Sequence, residues 1–203
     1  MKSRLLLLLL ITAQLSFGQE DLFGLIDARD SSENRLSDDL LPERMLFTQK
    51  ILWGEKGLMR KTGIAPLSRE QRVKELQWRK SMLTVHQAIG YLTLAGMIAQ
   101  GVIGGELYNG NYDLKDTHET LGNVVTASYF TGAALSLFSP PPLISARKEG
   151  ISGARAHKWL ATVHLSAMIA TQYYKERDKS LHRAAAYTAV GAFATATLVL
   201  RLD

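Results

Sequence analysis

"LTVHQAIGYLTLAGMIAQGVIGG", residues 83–105, contains no charged side chain. A helix at the surface of a water-soluble protein keeps a solvated, charged face, so an uncharged run of this length reads as a helix surrounded by apolar material. Its length matches the ~20 residues needed to cross ~30 Å of hydrocarbon. Three comparable stretches follow at about 119–138, 157–174 and 183–200. The second is uncharged from Leu121 to Phe138; the third is the most polar, with Lys158, His164 and Gln172. The loops between them hold "YNGNYDLKD", "SPPPLISARKEGISGAR" and "KERDKS", all turn-rich or charged. The expected fold is all-α, an integral membrane four-helix bundle over residues 81–203. A soluble four-helix bundle is the competing architecture, and the missing charged faces argue against it.

The flanking sequence differs in character. Mean hydropathy over all 203 residues is −0.03, but that average joins a charged stretch at 28–82 to the apolar remainder. The net charge of +5 comes largely from a basic cluster at 60–80. Basic flanks beside apolar helices meet lipid headgroups or set topology, so the expected partners include membrane lipids and not nucleic acid. Residues 1–18 have a basic start (Lys2, Arg4), a short apolar core from Leu5 to Ile11, and small residues at Ser16 and Gly18. They read as a cleaved signal peptide.

Residues 19–80 then form an extramembrane segment, first acidic and afterwards amphipathic and helical. Leu46, Ile51 and Leu58, with Trp53 close by, would line one side of a helix lying on the membrane or packed on the main domain; both readings stay open. Ser68 with Gln71 three residues on suggests a capping box.

Cysteine is absent, which removes disulfides, thiolate metal sites, iron–sulfur clusters and covalently attached c-type haem. Any metal or haem must be held by histidine, methionine or carboxylate. Of five histidines, four open a similar pattern: "HQAIG" from His86, "HETLG" from His118, "HKWLA" from His157 and "HRAAA" from His182. The residue four positions on shares the helical face. It is small each time: Gly90, Gly122, Ala161, Ala186.

If successive segments alternate in direction, His86 and His157 lie near one surface, side A, and His118 and His182 near the other, side B. Those are the diagonal pairs of an up-and-down bundle, placed to supply both axial ligands of a haem iron. A lone helix-end histidine is more often a capping or interfacial residue. An alternating set of four favours ligation, because ionisable groups inside membranes are costly and usually functional. His164 is the alternative ligand, about 10 Å deeper than His157 and with bulky Met168 four residues on. Small residues such as Gly101 and Gly105 permit either close helix packing or room for a flat cofactor.

Over roughly residues 80–201 this arrangement resembles the cytochrome b561 family. The resemblance implies two b-type haems passing electrons across the membrane, ligated by His86 with His157 and by His118 with His182, and a possible transmembrane oxidoreductase activity with unknown electron donor and acceptor. The chain departs from the family in having four core helices after a signal peptide, a long proline-rich second loop, and no glycine after its fourth histidine.

A cofactor-free structural or assembly subunit of a membrane complex is the alternative function, and a homo-oligomer is compatible with either. A histidine-based metal transporter is weaker, since few carboxylates accompany the imidazoles. The expected location is a bacterial inner membrane with the N-terminal segment outside the cytoplasm. Against that orientation, Arg147, Lys148 and Arg155 lie on side A, whereas the first side-B loop has only Lys115.

Overall fold

The computed structural model describes residues 40–42, 45–143 and 153–200. The expected signal peptide at 1–18, the acidic stretch before residue 40, and Arg147 and Lys148 lie outside the described residues. Among the described residues there are helices and no strands: α1 (Phe47–Trp53), α2 (Leu58–Lys61), α3 (Arg69–Tyr108), a 3-10 turn (Tyr112–Leu114), α4 (Lys115–Leu137), α5 (Gly153–Tyr174) and α6 (Lys179–Val199).

Helix α3 begins where Ser68 accepts a hydrogen bond from the Gln71 amide. The cap is therefore present, without the reciprocal bond from the Ser68 N–H to the Gln71 side-chain oxygen that would complete the box. With no proline to interrupt it, α3 continues for 40 residues, about 60 Å at 1.5 Å per residue. The charged stretch and the first apolar segment are thus one helix. It ends at Asn109, and Gly110, at φ 103°, makes the left-handed turn that reverses the chain. Asp178 caps α6, accepting from the amides of Ser180 and Leu181 at 2.9 Å.

The four long helices pack as α3 with α4 and α5 with α6, joined through α3 with α6. All four feed one core of Met97, Val125, Tyr129, Ala167, Met168 and Ala189. Polar groups link α4 to its neighbours: Thr93 with Ser128 at 2.9 Å, and Gln172 to Thr126 at 3.1 Å. Among the described residues α3 is the one helix long and apolar enough to cross a membrane by length and composition. The other three are diluted by Gly, Thr and Ser and by polar or charged residues such as Asn123 in α4, Lys158 and Gln172 in α5, and His182 and Arg183 in α6.

Residues 45–80 clamp the proline turn after α4. Thr48, Gln49 and Trp53 donate to the carbonyls of Leu137, Ser139 and Phe138, at 2.6, 3.2 and 2.9 Å. Arg72 donates to Pro141 O at 2.9 Å, and Arg79 to Pro140 O at 2.8 Å. Between the two arginines Arg60 and Arg72 lies Glu75, paired with both and fully buried. Trp53 and Gln49 therefore face the protein, while Leu46, Ile51 and Leu58 are exposed. The single apolar face expected from these four residues is split in two.

Candidate functional site

Three of the four patterned histidines are tethered in the same way. His86 Nδ1 lies 2.8 Å from the Gly132 carbonyl, His157 Nδ1 2.9 Å from that of Ala196, and His182 Nδ1 2.9 Å from that of Thr171. A carbonyl oxygen can only accept, so Nδ1 carries the proton and Nε2 the lone pair. Thr171 and Ala196 lie in the last turns of α5 and α6, where carbonyls lack helical partners, so those two imidazoles also satisfy helix ends. The tethers bridge sequence-adjacent, oppositely running helices: α3 to α4 and α5 to α6. The tether positions place His86 and His157 at one end of the helices and His182 at the other.

At that other end, the rings of His118 and His182 have centroids 6.4 Å apart and planes inclined at 82°. A metal ion bonded to both rings at about 2.0–2.1 Å would hold their centroids roughly 6 Å apart. The expected pair is therefore together, at a separation one shared ion can bridge. His86 and His157 lie within electrostatic reach of each other, and both reach His164.

His164 is held differently. Its Nδ1 is 2.6 Å from the Tyr129 hydroxyl, and its ring packs on Phe193 and Tyr129 at centroid distances of 5.0 and 5.7 Å. A phenol can donate or accept, so this contact does not fix which ring nitrogen keeps its lone pair.

The glycines divide between two uses. A Cβ on Gly96 would meet Val125 at 2.7 Å, a helix-packing contact. Around His118 they make room for side chains: a Cβ on Gly104 would sit 2.8 Å from His118 Cε1, and one on Gly122 2.6 Å from Gln100 Nε2. The space expected beside Gly122 is thus taken by Gln100, whereas Gly90 has nothing nearer than Phe193 at 4.0 Å. No family model, curated protein or solved structure matches the chain.

Beside the His118–His182 end, an open groove of about 470 Å³ lies between α3 and α6, lined in part by Gly101, Gly105, Arg183 and Tyr187. The Arg183 guanidinium stacks 4.3 Å from the Tyr108 ring centroid and 5.6 Å from that of Tyr187. Trp159 is 72% exposed and faces away from the core. Among the described residues no three His, Cys, Asp or Glu side chains form a chelating group, so histidine pairs are the available donor sets. The sequence reading missed the carbonyl tethers, which belong to the backbone. It also missed Tyr129 and Gln100, although a lone polar side chain inside an uncharged run is a readable signal.

Proposed function

We propose that this chain spans a membrane and carries electrons across it through two b-type haems, one ligated by His86 and His157 and the other by His118 and His182. The observation that carries the reading is the set of three imidazoles whose Nδ1–H is tethered to a backbone carbonyl. A metal-ligating histidine nearly always donates its second ring N–H to such a group, which fixes the tautomer and aims the ring. The donor chemistry fits a haem iron, for which bis-imidazole ligation suits electron transfer. The separation of the His118 and His182 rings fits the same role.

When bound, the haems supply reversible one-electron chemistry. The chain's own residues orient the ligands, exclude water and insulate the path. Outward-facing apolar side chains such as Leu92, 74% exposed, and Val102 on α3 suit contact with lipid. Arg183, stacked at the side-B groove, is the residue best placed to meet an anionic substituent of the cofactor. On side A, His157 is preferred over His164, because its carbonyl partner fixes the ligating tautomer. The resemblance to the cytochrome b561 family over residues 80–201 points the same way. The location proposed is a bacterial inner membrane, with residues 19–80 outside the cytoplasm.

The test is a pyridine haemochrome assay on the full chain purified in detergent, with reduced-minus-oxidised spectra. Two b-type haems per polypeptide are expected, and one or none contradicts the proposal. A chain with no Soret band would instead favour the cofactor-free assembly subunit.

A further inference from the structure

His118 breaks the pattern of its three counterparts. Its Nδ1 is buried and has no hydrogen-bond partner among the described residues. A buried ring nitrogen left without a partner keeps its desolvation cost, so a complementary group close by would be drawn to it. The same neighbourhood holds a second buried, unpartnered atom, the side-chain oxygen of Gln100.

The two residues are already joined. Gln100 Nε2 donates to the His118 backbone carbonyl at 2.6 Å. Gly104, one turn along the same face of α3, receives the His118 ring, and Gly122, one turn along α4, receives the Gln100 amide. The Gln100 amide and the His118 ring thus share one contact region between α3 and α4, where the amide oxygen and Nδ1 both stand without a partner among the described residues.

We propose that Gln100 is the positioning residue for His118, its amide oxygen accepting from Nδ1–H while its amide nitrogen holds the carbonyl of the same histidine. One side chain then does for His118 what Gly132, Ala196 and Thr171 do for the other three. The competing acceptor is Glu119, which acts electrostatically on His118. It is exposed, however, and lies 3.8 Å from Lys115 on the solvent side. A side-chain acceptor also makes this the one tether of the four that a substitution can tune. The assignment of Nε2 of His118 as an iron ligand rests on the proposed haem function; the tautomer does not.

Two measurements on the full-length protein test the idea. The first uses apo protein labelled with ¹⁵N-histidine, in which the protonated ring nitrogen of His118 is read by NMR. The Nδ1–H form is expected in the parent chain and a mixture of tautomers in Gln100→Leu; identical tautomer populations would overturn the assignment. The second titrates the haem-loaded protein potentiometrically, with His182→Ala identifying the side-B component. Gln100→Glu, a stronger acceptor, should lower the side-B midpoint potential and leave side A in place. Gln100→Leu should weaken side-B haem retention roughly 10–100-fold. Unchanged side-B behaviour in both variants, or equal shifts at the two haems, would refute the role of Gln100. A parent chain that binds no haem would refute the electron-transfer reading alone, leaving the tautomer measurement to decide on Gln100.

Discussion

The two ends of the four long helices hold their histidines by different means. At the side-A end, His86 and His157 are each tied to a carbonyl, His164 lies within electrostatic reach behind them with Tyr129 and Phe193, and the proline turn of this end is clamped by residues 48–79. At the side-B end, one histidine is tied to a carbonyl, the other packs against Gln100, Gly104 and the His182 ring, and the connection from α3 is a short turn around Gly110. The side-A end is built from long-range contacts and the side-B end from local ones. Equivalent spacing in the sequence therefore conceals unequal rigidity, and the side-B site is the more easily adjusted.

The clamp should show the largest effect. Glu75→Ala removes the carboxylate that pairs with both Arg60 and Arg72 inside the clamp. A loss of about 3–5 kcal/mol in stability is expected, because removing one member of a buried ion pair takes away its attraction and leaves the desolvation cost of the other. Thermal unfolding in lipid nanodiscs measures it. A change under 1 kcal/mol would erase the contrast between the two ends.

A second comparison lies within side A. Under the proposed haem ligation, His157→Ala should abolish the six-coordinate, low-spin signature on side A, whereas His164→Ala should keep those bands and shift the potential modestly. The reverse outcome would move the ligand into the Tyr129–Phe193 cage. On side B, Gly104→Ala sets a methyl group against the His118 ring. Haem occupancy there should fall roughly tenfold, within the range seen when a ligand's supporting contacts are disturbed, while side A stays filled. Equal loss at both ends, read from the resolved components of the reduced spectrum, would show that the sites are not independent.

Smallest of all should be Lys115→Ala. The Lys115–Glu119 pair is well exposed on both sides, and such pairs contribute about 0–1 kcal/mol. A larger effect on stability or on the His118 site would mean that Glu119, not Gln100, governs that imidazole.

Histidine was legible in the sequence because its spacing repeats and its neighbours four residues on are small. The all-helical fold was legible because uncharged runs and turn-rich loops alternate. What supports the imidazoles was not, since Gly132, Thr171 and Ala196 act through backbone atoms that no side chain announces. The clamp was hidden for another reason. Arg72 and Glu75 lie three residues apart at the start of a helix, a pattern that elsewhere marks a solvated face. Their burial, at 1% and 0% exposure, depends on a proline turn nearly 70 positions away. Trp53 was grouped with Ile51 for its nearness in sequence, but residues two apart point to opposite sides of a helix, and the Trp53 indole N–H donates inward to the Phe138 carbonyl.

The clamp also bears on the order in which the molecule assembles. Its hydrogen bonds join residues 60 to 90 positions apart, whereas the α3–α4 and α5–α6 hairpins close over short turns. The entropy of loop closure rises with the length of chain enclosed, so local hairpins form before distant segments meet. Residues 48–79 leave the ribosome before the proline turn exists and must wait for it. The Trp53 indole, quiet until the Phe138 carbonyl arrives, would then be a clock for the final step, and its fluorescence should settle only after helix content is complete.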